Sequence, residues 1–211
     1  MKICEIFTSI QGESSYAGVP CIFIRVTGCN LRCTYCDTSY AYSEGRELTE
    51  QEILSEVSRI GLNVVEITGG EPLLQHDVPR LVRRLIDDGH TVLIETNGSQ
   101  DIKGIDTRAI IILDMKTPDS GMSGEMRISN LAYLKPVDEL KFVIASRDDY
   151  EWSRNFIREH SVIGKCTILF SPVFGELDPQ DLSRWVIEDR LEVRLNVQLQ
   201  KYIYGPDRRG V

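Results

Sequence analysis

The sequence has no run of apolar residues long enough to cross a membrane, because no stretch approaches the roughly 18 residues that a spanning helix requires. The N-terminal segment MKICEIFTSI also lacks the apolar core and the cleavage site of a signal peptide. We therefore expect no membrane association and a cytoplasmic location. Because that compartment is reducing, the six cysteines are not expected to form a disulfide framework.

Basic residues are in deficit, with 24 Lys and Arg against 32 Asp and Glu, which gives a formal net charge of −8. Surfaces that bind nucleic acids usually carry a basic excess, so this balance argues against such a partner and favours a small-molecule ligand. The chain also lacks linkers, repeats and low-complexity segments. With 211 residues and 42% hydrophobic content, it is expected to form one globular domain over residues 1–211.

A fourth cysteine is missing beside the three that stand close together, Cys29, Cys33 and Cys36. Their C-x3-C-x2-C spacing matches neither the bacterial ferredoxin pattern nor the paired C-x2-C dyads of zinc sites. Three thiolates on a four-iron cluster would leave one iron open to a non-protein ligand, which indicates chemistry rather than scaffolding. From spacing alone, a structural zinc knuckle completed by a distant His or Cys remains the alternative. Ligands that converge on a cluster should wrap around it, so a compact loop is predicted here rather than a helix.

The remaining cysteines and the histidines carry no such pattern. Three cysteines in apolar, strand-like runs are expected to be small buried hydrophobic residues: Cys4, Cys21 and Cys166. Three histidines in or beside helical segments are expected at the surface: His76, His90 and His160.

Strand-like and helical patterns alternate along the chain. Strands are predicted at 3–8, 21–27, 64–68, 91–96, 110–115, 139–144, 167–171 and 192–199. Helices are predicted at 50–60 behind Thr49 as N-cap, at 78–88, at 148–160, and at 179–189 behind Asp178 as N-cap. In the irregular stretch 117–138 a helix is expected to be missing or replaced by a loop. Such alternation predicts a parallel sheet with right-handed crossovers, and since a full eight-unit barrel needs about 250 residues, a partial (β/α) barrel is expected.

Two predicted strands end in motifs that suit ligand binding. Strand 21–27 runs into Gly28 and the cysteines, and strand 64–68 runs into the sequence GGEP at 69–72. Glycines let the backbone approach a ligand, and Glu71 can accept hydrogen bonds from an ammonium group. Taken alone, GGEP is also an ordinary strand-to-helix turn. Ligands of α/β proteins sit at the carboxyl ends of the strands, so both motifs are expected to face one site.

Together the cysteine loop, with Tyr35 before the third cysteine, and the motif ITGGEPLL at 67–74 resemble the radical S-adenosylmethionine (SAM) superfamily. That resemblance implies a partial barrel of about six βα units. It also implies a [4Fe-4S] cluster on the three cysteines, with SAM on the fourth iron and a SAM-derived radical in place of a catalytic side chain.

Within the superfamily, the segment SIQGESSYAGVPCIFIRVTGCNLRCTYCDT resembles the 7-carboxy-7-deazaguanine synthase family, and the similarity resumes at ETNG, DMKTPDSG and ELKFV. The resemblance covers most of the chain. It implies a carbon–nitrogen lyase that converts 6-carboxy-5,6,7,8-tetrahydropterin to 7-carboxy-7-deazaguanine with loss of ammonia, for queuosine and other 7-deazapurines. Mg²⁺, a flavodoxin or ferredoxin reductant and a homodimer are implied as well.

The resemblance nominates site residues position by position. For SAM these are Tyr35, Cys36, Asp37, Gly69, Gly70, Glu71, Gly98 and Ser146. For the substrate they are Ile10, Gln11, Gly12, Glu13, Arg25, Thr96, Gln200 and Pro206. Thr38 is the implied Mg²⁺ ligand, since Mg²⁺ prefers oxygen donors. The guanidinium fork of Arg25 suits a substrate carboxylate.

The C-terminal region departs from the family pattern. Many relatives have a histidine near the substrate where this chain has Gln200, and a glutamine can exchange hydrogen bonds but cannot titrate. Two rival functions remain at this point. One is a glycyl-radical-enzyme activase, against which Gln11 to Glu13, Arg25 and Thr38 argue. The other is a non-catalytic iron-sulfur carrier or zinc module, which would leave GGEP and ETNG without a purpose.

Overall fold

The computed structural model describes residues 1–211 as a nine-stranded sheet with helices against one of its faces. The strands are β1 (Lys2–Ile10), β2 (Pro20–Val26), β3 (Arg46–Glu47), β4 (Val64–Gly69), β5 (Thr91–Thr96), β6 (Ile110–Met115), β7 (Glu139–Ile144), β8 (Thr167–Pro172) and β9 (Arg194–Leu195). The helices are α1 (Glu50–Ile60), α2 (Val78–Asp87), α3 (Arg147–Glu159), α4 (Pro179–Glu188) and α5 (Leu199–Tyr204). None of these helices has the length and apolar character needed to span a bilayer.

The strand order is β3-β1-β2-β4-β5-β6-β7-β8-β9, and every pairing from β2 to β9 is parallel. The predicted partial barrel is confirmed. One edge departs from the predicted parallel sheet, because β1 runs antiparallel to β2 and β3. A parallel crossover needs a dozen or more residues, whereas the connection from Gln11 to Val19 is shorter and is closed by a hydrogen bond of 2.7 Å between Gln11 N and Val19 O.

Side chains alternate between the two faces of each strand, because successive residues of a strand point to opposite sides. One face packs against the helices and carries aliphatic and aromatic residues such as Ile24, Ile67, Ile94 and Phe142. The opposite face carries a small separate apolar cluster of Cys21, Phe23, Val64, Leu93 and Ile112. Beyond that cluster, toward the carboxyl ends of the strands, the second face becomes polar.

Helix starts follow the capping chemistry that the sequence indicates. Thr49 and Glu52 form a capping box at α1, and the side chain of Asp178 accepts a hydrogen bond from Gln180 N, with Pro179 as the first residue of α4. The four long helices lie within one or two residues of their predicted limits.

Three connections differ from a regular alternation. No α-helix joins β5 to β6, where Asp101 and Asp106 bond backbone N–H groups two residues on and favour turns instead. Short 3₁₀ turns replace a helix between β6 and β7, as expected for 117–138. The strand predicted at 192–199 is too long, because only Arg194–Leu195 forms a strand beside β8. Further on, Leu199 N donates to Gly12 O at the start of α5.

Candidate functional site

A cavity of about 610 Å³ opens at the carboxyl ends of the parallel strands. Its walls include the ends of β2, β4, β5, β6 and β8, the cysteine loop, and the C-terminal segment after α5. It therefore lies where ligands of α/β proteins bind.

The cysteine loop forms one wall of this cavity, and Cys29, Cys33 and Cys36 all line it. The loop is irregular, as predicted, and is tied to the 3₁₀ turn after β6 by bonds from Thr34 N to Ser120 O (3.2 Å) and from Thr34 Oγ1 to Asp119 O (2.7 Å). All six cysteines carry free thiols. Burial raises the pKa of the Cys33 thiol, and the Lys116 ammonium opposes this shift.

This donor set fits a cluster held by three protein thiolates. In the structure no three His, Cys, Asp or Glu side chains are close enough together to hold a metal ion, but three half-buried thiols line one open cavity. Cys4, Cys21 and Cys166 lie away from the cavity wall, and of these only Cys21 is fully buried as expected. A zinc knuckle would need a fourth protein ligand, and no histidine lines the cavity.

The GGEP motif reaches the cavity through its glycines and not through its carboxylate. Gly69 and Gly70 line the wall, and a Cβ on Gly70 would collide with Gly28 O, so the glycine lets this turn pack directly against the cysteine loop. Glu71 is fully buried and accepts hydrogen bonds from Leu73 N (2.9 Å), Thr96 Oγ1 (2.8 Å) and Asn97 N (2.7 Å). The Glu71 side chain thus points into the fold in this structure, and its contact with the SAM ammonium stays a prediction.

Two further residues nominated for SAM also lie outside the cavity wall. Gly98 has a positive φ of 77°, and its carbonyl accepts hydrogen bonds from Arg127 N and Asn130 Nδ2. Ser146 is the N-cap of α3, and its hydroxyl also bonds to Asp119. Both are occupied by contacts within the chain. Tyr35, Cys36 and Asp37, by contrast, line the cavity.

Arg25 projects from β2 into the cavity, as predicted. Its Nε donates to Glu5 Oε1 at 2.8 Å, and its guanidinium lies over the rings of Phe7 and Tyr40 at 5.5 and 5.9 Å from their centroids. The two Nη groups make no hydrogen bond within the chain. The bond from Nε therefore fixes the guanidinium, and its two Nη groups remain available to a carboxylate.

The carboxylate of Glu13 lies on another wall of the same cavity. Its Oε2 accepts from Lys141 Nζ at 3.0 Å, and its Oε1 accepts from Gln198 Nε2 at 3.0 Å and Gln200 Nε2 at 3.1 Å. Burial would raise the pKa of Glu13, but Lys141 and Gln198 outweigh it and lower the pKa, so the group is ionised. Gln11 bonds to Glu66 and to Glu13 N, which fixes the start of this loop.

The other residues nominated for the substrate also line the cavity: Ile10, Gly12, Thr96, Gln200 and Pro206. The hydroxyl of Thr96, however, is donated to Glu71. Gly12 lies so close to Gln200 Oε1 that a Cβ at residue 12 would collide with it. That oxygen is buried without a partner, which leaves one acceptor free at the wall.

Thr38 lines the cavity beside Asp37, to whose Oδ1 its hydroxyl donates at 2.9 Å. Partial burial alone would raise the pKa of Asp37, but the Lys201 ammonium at 2.7 Å outweighs it and lowers the pKa to about 2. Two oxygen donors of a kind that Mg²⁺ accepts therefore stand together at this wall.

Sequence reasoning missed a charged network on the polar face of the sheet, formed by Glu66, Glu95, Asp114, Lys116 and Lys141. Strand register sets Asp114 opposite Lys141 and Glu66 opposite Leu93. Burial, with Glu95 and Glu13 nearby, raises the pKa of Glu66 well above its usual value. The available signal was a charged residue inside each of the apolar strands VVEIT, LIET, ILDM and ELKFV.

The chain is similar to known proteins over its whole length. A family profile described as the Radical SAM superfamily matches residues 23–113. The chain is 46% identical to the 7-carboxy-7-deazaguanine synthase of Koribacter versatilis (strain Ellin345), covering all of both chains, and 46% identical to that of Chlorobaculum tepidum, covering all of this chain and 97% of the relative. The crystal structure of QueE from Escherichia coli has the same fold, with a TM-score of 0.79, 23% identity, and coverage of 94% of this chain and 93% of that one.

Proposed function

This chain belongs to the 7-carboxy-7-deazaguanine synthase family of the radical SAM superfamily, and we propose that it converts 6-carboxy-5,6,7,8-tetrahydropterin to 7-carboxy-7-deazaguanine with loss of ammonia. The reaction makes it a carbon–nitrogen lyase of queuosine and 7-deazapurine biosynthesis. The observation that carries the proposal is a single cavity that joins three cysteines without a fourth to a free guanidinium fork and an ionised carboxylate.

The cofactor side of the cavity is the cysteine loop. Cys29, Cys33 and Cys36 would hold the [4Fe-4S] cluster, and the backbone at Gly69 and Gly70 would bind SAM beside it. When bound and reduced by a flavodoxin or ferredoxin, the cluster and SAM supply a 5′-deoxyadenosyl radical. The protein needs no nucleophile for such chemistry, and its contribution is to orient the substrate and keep water away.

The substrate side suits a carboxylated pterin. The free Nη groups of Arg25 match the two oxygens of a carboxylate. The pterin ring has two neighbouring donors, an exocyclic amine and a ring N–H. In the structure Glu13 Oε1 likewise accepts from two donors, the side-chain amides of Gln198 and Gln200. The pterin edge would replace those two donors, and Gln200 Oε1 would gain the partner that it lacks.

Magnesium is proposed at Thr38. Its hydroxyl and the neighbouring Asp37 carboxylate supply oxygen at the wall between the cysteine loop and Arg25, and a substrate carboxylate and water would complete an octahedron. Binding would require the Thr38 hydroxyl to turn its lone pairs toward the ion.

The decisive assay is turnover by the anaerobically reconstituted protein with SAM, Mg²⁺, a reductant and 6-carboxytetrahydropterin. We expect a new deazaguanine chromophore and stoichiometric ammonia. Cys33→Ala should lose both the cluster and SAM cleavage. Cys166→Ala is the matched control and should keep both, because Cys166 lies away from the cavity. An active Cys33→Ala protein, or a wild-type cluster without substrate-dependent turnover, would contradict the proposal.

A further inference from the structure

Asn97, directly after β5, reaches the sulfur of one cysteine of the loop. Its Nδ2 lies 3.7 Å from Cys29 Sγ, and the backbone nitrogen of Leu31 lies 3.4 Å from the same sulfur. Both distances suit N–H···S hydrogen bonds. Asn97 is only 8% exposed, so solvent competes weakly for its amide.

The orientation of the Asn97 amide follows from its other contacts. Its Oδ1 accepts from Ser99 N at 3.0 Å and from Ser99 Oγ at 2.7 Å. A backbone N–H can only donate, so the oxygen must lie on the Ser99 side. The NH₂ group is thereby directed at Cys29 and at Asn30 Oδ1, which lies 3.3 Å away.

Hydrogen bonds to the Glu71 carboxylate fix the backbone at Asn97. The Asn97 N–H donates to Glu71 Oε2 at 2.7 Å, and the preceding residue, Thr96, donates its hydroxyl to Glu71 Oε1 at 2.8 Å. Glu71 is fully buried, so these bonds are protected from water. The GGEP and ETNG motifs thus meet at a donor that faces a cysteine sulfur.

We propose that Asn97 is a positioning residue that sets the reduction potential of the iron-sulfur cluster through a hydrogen bond to Cys29 Sγ, with Ser99 orienting its amide and Glu71 fixing its backbone. The proposal rests on the cluster within the proposed function, and not on the identity of the substrate. Reduction adds negative charge to the cluster and its thiolates. A donor to a thiolate stabilises the reduced form more than the oxidised form, and hydrogen bonds to cluster sulfurs are among the features that set the potential.

The test is the midpoint potential of the reconstituted cluster, titrated anaerobically without substrate and followed by electron paramagnetic resonance. Asn97→Leu removes the donor and keeps a side chain of similar size. We expect the ratio of reduced to oxidised cluster at a fixed potential to fall about tenfold in this variant. For one electron, that corresponds to a midpoint potential about 59 mV more negative. Ser99→Ala should shift the potential in the same direction by less, because the amide keeps its bond from Ser99 N but loses the second orienting bond, from Ser99 Oγ. Asn63→Ala is the matched control and should leave the potential unchanged, since Asn63 precedes β4 at the amino ends of the strands, away from the cysteine loop, and its side-chain amide bonds to Thr91.

An intact cluster with wild-type potential in both Asn97→Leu and Ser99→Ala would overturn the inference, as would an equal shift in Asn63→Ala. If the Asn97→Leu protein takes up no iron, the midpoint potential of Ser99→Ala decides whether the inference holds. Failure of the wild-type protein to take up a cluster would overturn the proposed function and this inference together. A wild-type cluster that turns over pterin, with potentials unmoved in the variants, would overturn only the inference.

Discussion

Replacing Lys141 with methionine would remove the cation at the centre of the charged face of the sheet. Its Nζ lies 3.0 Å from Glu13 Oε2, bonds to Glu95 Oε1, and lies 3.9 Å from Asp114 Oδ2, while the side chain is only 6% exposed. Methionine keeps an unbranched chain of similar size, so the change removes charge with little change in packing.

The expected loss follows from this geometry. At an effective dielectric constant of about 20, two unit charges 3.0 Å apart attract by about 5–6 kcal/mol, and the desolvation of the ammonium offsets much of that attraction. Removing one partner of a buried pair leaves the other charge unpaired, at a cost of about 3–5 kcal/mol. We expect Lys141→Met to lower the free energy of unfolding by that amount near neutral pH.

The pH dependence gives the prediction a second, independent measurement. Lys141 lowers the pKa of Glu13 despite burial, so the stability from this ion pair is present above the ordinary carboxyl pKa and is lost as the pH falls through the lowered value. In the variant the unpaired carboxylates can take up protons instead, which relieves their repulsion. The difference between wild type and variant should therefore shrink toward acid pH.

Urea unfolding followed by circular dichroism measures both quantities, with anaerobic samples of equal cluster content at about pH 7 and about pH 4. Lys103→Met, which removes an exposed lysine without an ion pair, is the control and should change the unfolding free energy by less than about 0.5 kcal/mol. A loss below about 1 kcal/mol in Lys141→Met, or a deficit that grows toward acid pH, would refute the electrostatic reasoning.

Three further predictions concern single side chains of the cavity. Arg25→Lys should raise KM for the pterin by about tenfold or more with a smaller change in kcat, because lysine cannot form the paired hydrogen bonds of the guanidinium fork; an unchanged KM in steady-state kinetics would exclude the carboxylate role. Thr38→Ala should weaken the dependence of the rate on Mg²⁺, whereas Ser39→Ala beside it should not; equal Mg²⁺ titrations of Thr38→Ala and wild type would refute the metal assignment. Glu66→Gln should flatten the pH dependence of stability, because a carboxyl with a raised pKa contributes stability below its ordinary pKa and loses it as the pH rises through the raised one; unchanged unfolding curves between about pH 5 and pH 8 would contradict this.

Local sequence signals predicted most of the sheet because its central strands are buried on both faces. Three strands, β5, β6 and β7, have their predicted limits, and each is a short apolar run bounded by turn residues. The last predicted strand is too long, because a local apolar signal does not show which residues find a neighbouring strand to pair with. Beyond Leu195, Asn196 turns to Ser171 and the backbone of Leu199 bonds to Gly12, contacts that lie far away in the sequence.

The charged network shows what could have been predicted and was not. A charged side chain inside an apolar strand is costly unless it is paired, so Glu66, Asp114 and Lys141 each require a partner. Strand alternation already assigns all three to the face opposite the helices. The pairing itself depends on strand order and register, as in the match of Asp114 with Lys141, and neither is encoded locally.

In the GGEP motif, the two glycines line the cavity, whereas the carboxylate of Glu71 is bonded to groups of the protein itself. Its sequence position at a strand end predicted a carboxylate facing a ligand, but Leu73, Thr96 and Asn97 supply three donors from its own turn and from the neighbouring strand. Turning the carboxylate toward the cavity would leave those buried donors without partners, each at a cost of about 1–3 kcal/mol. The carboxylate keeps its buried position because three of its roughly four acceptor sites are already occupied there. The part of the motif that lines the cavity is the backbone at residues 69–70.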